Sequence, residues 1–275
     1  MQERPPTQVW YSAQVAGRIR VEKEGALGWV VFDHPERRNA ISAEMWGEIP
    51  KAIASLDADP EVRVIVLRGE GEVAFVSGAD ISQFQERRTG ADASKDYEAG
   101  NARAFVSLAT AEKPLLAMIH GFCVGGGCAL ALNADLRFAA DDAVFAIPAA
   151  RLGLGYPMLG IKTLLDLVGP SRAKEMFFTA RRFDATEALE MGLVNAVLPK
   201  ADLEAHVRGV AEQIATNAPL TVKAVKRAIV ELSKDPEHRD HEAASELVRA
   251  CFDSEDYKEG VQAFLEKRRP RFQGR

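Results

Sequence analysis

Short, uniformly apolar runs alternate along this chain with stretches whose apolar residues recur every three or four positions. The uniform runs read as strands buried on both faces, and the recurring pattern reads as helices with one buried stripe. Ile19–Glu22 and Leu27–Phe32 flank a Glu24-Gly25 turn and predict a β-hairpin. Met45, Ile49, Ile53 and Leu56 share one face of a helix that Ser42 can cap and Asp59-Pro60 ends, with Pro50 predicting a kink or break inside it. Further strands are expected over Val62–Leu67, Ala74–Val76, Leu115–Ile119, Asp135–Ala139, Val144–Ile147 and Leu193–Leu198. A helix from about Tyr97 to Thr110 follows a polar loop. Leu159–Val168 reads as a helix stopped by Gly169-Pro170, and Ser171 caps the next, to Ala180. Asp184-Ala185-Thr186-Glu187 is a capping-box pattern for Ala185–Met191. Asp202–Thr216, Leu220–Ser233, His241–Phe252 and a last helix capped by Ser254 complete the chain. Patterning alone thus predicts an α/β portion followed by an α-helical one.

One stretch stands out, Leu115–Ala131, LLAMIHGFCVGGGCALA. A strand runs into a glycine turn that opens onto an apolar helix beginning near Cys128. The first turn of a helix carries unpartnered N–H groups and the positive end of the dipole. Glycines let a ligand approach that backbone closely. Such a turn either packs a helix onto a sheet or holds an anion, including an oxygen that becomes one during reaction. There is no G-x-x-x-x-G-K-[ST], and the GGG spacing is not that of a dinucleotide fingerprint.

With 275 residues, 47% of them hydrophobic, the chain can bury a large core. A net charge of −5 gives no encouragement to a nucleic-acid partner. No apolar run approaches the ~20 residues of a membrane span, and Met1–Gln14 lacks the apolar core of a signal peptide. Cys123, Cys128 and Cys251 form no C-x-x-C and no disulfide framework, which fits a reducing cytoplasm. Cys123 and Cys128 read as buried thiols, Asp141-Asp142 as turn formers, and His238 and His241 as a solvated helix entrance with no third metal ligand.

A second stretch, Val73–Ser82 (VAFVSGADIS), joins the first. Together F-V-S-G-A-D-I and H-G-F-C-V-G-G-G-C-A-L resemble the crotonase (enoyl-CoA hydratase/isomerase) superfamily, over nearly all the chain from about Ile19. The resemblance implies an α/β crotonase (ClpP-like) fold, a spiral of ββα units with a helical C-terminal region. It divides the chain into an arm, 1–16, a core, 17–200, and helices used in homo-trimer or dimer-of-trimers contacts, 201–275. It implies an acyl-CoA substrate, with coenzyme A as part of the substrate rather than a separate cofactor. The N–H groups of Ala79 and Gly126 would form an oxyanion hole for the thioester carbonyl. Arg37, Arg38 and Ala40 lie in a loop that would run along CoA. Ser77, Asp80, Ile81, Ser82 and Gly125 flank the oxyanion positions, and Phe264 and Lys267 would touch the adenine and phosphates.

This chain also departs from the family. Hydratases of the superfamily carry two glutamates that hold and activate water, and their positions here are Ala129 and Ala149. Hydration needs a positioned base and acid, each worth roughly 10²–10⁴-fold. The oxyanion hole still supports chemistry in which a bond breaks to leave an enolate, such as decarboxylation of a malonyl-type thioester. Arg151–Ile161 resembles the corresponding segment of methylmalonyl-CoA decarboxylases, which also carries a tyrosine. Tyr156 then either orients a substrate carboxylate or guides a water that quenches the enolate, or else lines the acyl pocket without chemistry. Arg151 either meets a substrate carboxylate bidentately or pins a loop. The alternatives are a hydratase with a rearranged base and a non-catalytic acyl-CoA-binding protein.

Overall fold

A computed structural model describes residues 17–80 and 91–275, with the backbone alone for 91–99 and 159. Residues 1–16 and 81–90, Ile81 and Ser82 among them, lie outside the described residues. In chain order the strands are β1 (Arg18–Glu24), β2 (Leu27–Asp33), β3 (Val64–Gly69), β4 (Ala74–Val76), β5 (Leu115–Ile119), β6 (Phe122–Val124), β7 (Leu136–Ala140), β8 (Val144–Ala146), β9 (Phe183–Asp184) and β10 (Ala196–Leu198). The helices are α1 (Ala43–Ala58), α2 (Ala91–Thr110), α3 (Gly126–Leu132), α4 (Met158–Thr179), α5 (Ala185–Glu190), α6 (Lys200–Ala215), α7 (Pro219–Leu232), α8 (His241–Asp253) and α9 (Glu255–Leu265).

A larger sheet has the order β1-β2-β3-β5-β7-β10, and a smaller one the order β4-β6-β8-β9. Each of the pairs β3/β4, β5/β6 and β7/β8 sends its first strand to the larger sheet and its second to the smaller. Pairing within both sheets is parallel except for the β1–β2 hairpin and the β8–β9 pair. The chain therefore climbs in ββα turns.

The uniform apolar runs have a direct cause. On β3, Ile65 and Leu67 point into the main core, while Val64 and Val66 point to the opposite face of the sheet. That second face is covered by Leu203, Val207 and Ala211 of α6. With both faces buried, no polar alternation is tolerated.

Ser42 caps α1 by accepting from the Met45 N–H at 3.3 Å, and Asp184 and Glu187 form the predicted capping box of α5. Four expectations need correction. The helix α1 runs as a single element through Pro50, because Met45, Trp46, Ile49 and Ile53 bury its inner face firmly enough to outweigh one missing N–H. The helix α2 starts at Ala91 rather than near Tyr97. The break in α4 falls at Gly169 (φ 73°, ψ 170°), so Pro170 opens the second half and Ser171 lies inside it rather than capping it. The strands β6 and β9 were not anticipated, since three and two residues carry no pattern of their own.

The C-terminal helices differ from the core. Ile229, Leu232, Phe252, Phe264 and Leu265 are all exposed. The tail returns to these helices, where the buried Asp256 carboxylate accepts the N–H groups of Gln273 and Gly274 at 2.6 and 2.8 Å. No helix among the described residues is long and apolar enough to cross a membrane.

Candidate active site

The site starts from two chain reversals, one at the end of β4 and one at the end of β6. Past β4, Ile41 pairs beside Ala79. The Ile41 N–H donates to the Gly78 carbonyl at 2.8 Å, and the Ile41 carbonyl accepts from the Asp80 N–H at 2.9 Å. A parallel bridge of this kind uses the flanking peptide groups, and the N–H of Ala79 itself has no acceptor among the described residues. Past β6, Gly125 takes φ 54° and ψ −115°, a conformation closed to residues with a Cβ, and its N–H donates to the Ala146 carbonyl at 2.8 Å. Gly126 is the first residue of α3, so its N–H has no intrahelical acceptor, nor any other among the described residues.

The two amides are neighbours, for the Ala79 nitrogen lies 3.6 Å from where a Cβ on Gly126 would sit. Trp46 underlies them, with its ring 3.2 Å from that same point. Gly127 rests on β4 so closely that a Cβ there would stand 2.1 Å from the Val76 carbonyl oxygen. Backbone thus packs on backbone, and the turn is fixed without help from side-chain chemistry.

Both amide-bearing residues line a cavity of about 400 Å³, together with Ser77, Gly125, Ala129, Ala149 and Tyr156. Trp46, Phe105, Leu132 and Ile147 make its walls predominantly apolar. Among the described lining residues Tyr156 is the one titratable group. Burial pushes its phenol above the ordinary phenolic range, with the Cys128 thiol adding a smaller push in the same direction. The ring is clamped edge-to-face on Phe177 at 4.9 Å and lies against Gly160, where a Cβ would come within 2.8 Å of it. Two asparagines in the wall carried no sequence signal. The Asn133 side chain donates to the Ala129 carbonyl at 2.8 Å, and the Asn101 carbonyl oxygen is buried with no donor among the described residues.

The remaining predicted residues scatter. Asp80 faces the Arg37 guanidinium at 3.7 Å, and the Ser77 hydroxyl donates to the Arg37 carbonyl at 3.2 Å. Arg38 is left-handed (φ 52°) and exposed, with its guanidinium 4.9 Å above the Phe122 ring. Ala40 is buried, and its carbonyl meets the His34 ring at 2.9 Å. The residue that fixes this loop is Asn39, which sequence reasoning missed. It is 1% exposed, accepts from the His34 N–H, and donates to the carbonyls of Glu70 and Ala74. Arg151, Phe264 and Lys267 are exposed and do not line this chain's cavity. The short turn Pro148–Leu152 rotates Ala149 inward and Arg151 outward, and Arg151 has no ion pair among the described residues.

The profile of the enoyl-CoA hydratase/isomerase family matches residues 22–275. The chain belongs to that family. It is 37% identical to the short-chain-enoyl-CoA hydratase of Clostridium acetobutylicum, over 91% of this chain and 95% of that one. It is 35% identical to the carnitinyl-CoA dehydratase of Citrobacter koseri, over 94% and 98%. Among solved structures, an enoyl-CoA hydratase/isomerase family protein from Hyphomonas neptunium superposes with a TM-score of 0.89 at 39% identity, over 94% of this chain and 98% of that one. The two interleaved sheets are therefore the crotonase fold, and the helical C-terminal region is part of it.

Proposed function

We propose that this family member acts on a CoA thioester through an enolate, and that the enolate is made by loss of carbon dioxide from a malonyl-type acyl group. The observation that carries this reading is the asymmetry of the cavity. It holds two unpartnered backbone donors, and among the described lining residues no acid or base except a phenol, which is neutral at physiological pH. With Ala129 and Ala149 where hydratases of the superfamily have glutamates, no described lining residue offers a carboxylate to activate water.

Decarboxylation asks for less. The thioester oxygen sits on the N–H groups of Ala79 and Gly126. The bond from the α-carbon to the carboxylate breaks, its electron pair moves into the enolate, and carbon dioxide leaves neutral. Each amide is worth about 2.7–4 kcal/mol to the developing oxyanion. An apolar cavity also favours the step, because it solvates a carboxylate poorly and neutral carbon dioxide well. The Tyr156 hydroxyl then donates its proton to the α-carbon and is reprotonated from water. A phenol is protonated at neutral pH and so enters the step as a donor rather than a base, and burial makes it a weaker acid than a free phenol.

The loop carrying Arg37 and Arg38 continues from the cavity by way of Ser77 and is the place for the CoA tail. The exposed apolar residues of α7, α8 and α9 support self-association, as a homo-trimer or dimer of trimers. Phe264 and Lys267 would then serve a neighbouring copy's cavity, since they do not line their own.

The kinship with proteins named as hydratases and dehydratases supports a second reading, hydration with a rearranged base. Purified protein incubated with crotonyl-, malonyl-, methylmalonyl- and ethylmalonyl-CoA, with masses followed over time, separates the two. Loss of carbon dioxide from a malonyl-type thioester with crotonyl-CoA untouched is the expected result. Addition of water to crotonyl-CoA at enzymatic rates overturns it.

A further inference from the structure

The ring of Phe122 carries two guanidinium groups. Phe122 is the first residue of β6 and is partly exposed, while its neighbour Cys123 faces the core. Arg38 stands 4.9 Å from the ring centroid and Arg182 stands 5.7 Å from it. They arrive from separate segments, Arg38 from the loop after β2 and Arg182 from the residue before β9. Phe183 is fully buried, and the alternation of the strand turns Arg182 outward.

Neither guanidinium has an acidic partner among the described residues. Their sequence neighbours do. Arg37 faces Asp80, and Arg181 is held by Glu175 and Glu187. Two like charges gathered on one ring repel each other, and the ring's weak attraction at an exposed position does not neutralise them. An anion with several acceptor oxygens would, and planar guanidinium forks fit phosphate bidentately. Arg38 is also held in place before any ligand arrives, because Asn39 locks the left-handed loop.

The position of the pair indicates what the phosphate belongs to. The Arg38 carbonyl accepts the N–H of Ser77 at 3.1 Å, and Ser77 lines the cavity. Phe122 lies two residues before Val124, which lines it too. We propose that Arg182, with Arg38 and Phe122, forms a phosphate-binding site at the cavity rim, and that Arg182 is a specificity determinant for the phosphorylated end of a CoA thioester. This inference rests on the CoA-thioester reading above, in which Arg182 has no part.

Equilibrium binding of CoA, pantetheine and inorganic phosphate to the wild-type protein, Arg182→Gln and Arg182→Lys tests it. Arg182→Gln should bind CoA about tenfold more weakly. Its affinity should also depend less steeply on salt, and pantetheine binding should not change. Arg182→Lys, which keeps the charge without the fork, should recover part of the loss and shows that the position tolerates substitution. Wild-type affinity for CoA in Arg182→Gln, or an equal loss for pantetheine, overturns the role of Arg182 alone. Phosphate bound as tightly as CoA assigns the site to the free ion and overturns the CoA assignment. A wild-type protein that binds no CoA removes the underlying reading as well, a result distinct from the other two.

Discussion

The turn Gly125–Gly127 and the stretch Ala149–Tyr156 face the same cavity, but different parts of the chain hold them in place. The turn is set by peptide groups: Gly125 donates to Ala146, and Gly127 lies on the Val76 carbonyl. Its chemistry also resides in a peptide group, the N–H of Gly126. The opposite wall depends on side chains. There Ala149 is small and inert, and the Tyr156 ring is gripped by Phe177 and Gly160. A backbone donor persists through nearly any change of side chain around it, whereas acid–base function is lost with one substitution. On the proposed reading, that is how the chain keeps an oxyanion hole and loses the apparatus for moving water.

The comparison can be broken most forcefully at Gly127. An alanine there would put its Cβ 2.1 Å from the Val76 oxygen. We expect Gly127→Ala to destabilise the protein by about 3 kcal/mol or more, read from denaturant unfolding. A variant of native stability would show the turn to be soft. Next is Tyr156→Phe, which keeps the ring and its packing on Phe177. Turnover of a malonyl-type thioester should fall at least about 10²-fold with affinity for substrate retained. Unchanged turnover would reduce Tyr156 to a wall residue.

Restoring a carboxylate tests the same contrast from the other side. Ala129→Glu would put an acid into an apolar cavity and should lower turnover of an anionic malonyl-type thioester at least about tenfold through like-charge repulsion. Binding of a neutral acyl-CoA should suffer less, and equal losses would point to simple overfilling.

A smaller effect concerns the corner between β5 and β6. His120 is 5% exposed, its Nε2 has no partner, and burial, aided by the Lys200 charge, holds its pKa below the ordinary imidazole value. Above about pH 6.5 the ring is neutral in both the folded and unfolded chain. As pH falls below that value, the unfolded chain takes up a proton that folded His120 resists, so stability declines, by at most about 1.4 kcal/mol per pH unit. Unfolding measured from pH 7.5 to 5.5 should show this slope, and His120→Gln should flatten it. The smallest effect is expected at Arg151, exposed and without an ion pair among the described residues. Arg151→Gln should leave turnover within about twofold, and a larger loss would place it on the substrate.

The strand–glycine–helix passage was legible because its pattern is local. Leu115–Ile119 was read with its observed bounds, and the helix expected near Cys128 starts two residues earlier, at Gly126. The Asp184–Glu187 cap was legible for the same reason. By contrast, β6 and β9 exist because neighbouring strands pair with them, and Asn39 and Asn101 matter through partners, or the want of one, that are distant in sequence. No break falls at Pro50, since a local penalty was overruled by a buried helix face.

The sequence by itself determined the apolar runs, the glycine turn, the caps and the two alanines where its relatives' superfamily uses glutamates. These are matters of residue type and spacing, which no packing can alter. The tertiary structure alone decided that the N–H groups of Ala79 and Gly126 become neighbours, that Tyr156 is half-buried against their cavity while Arg151 points to solvent, and that Arg38 and Arg182 share one ring. Each of these joins segments far apart along the chain. Which side chain faces inward at such a junction depends on the register and packing of the sheets that bring the segments together, and that information is spread over the whole core rather than written at the site.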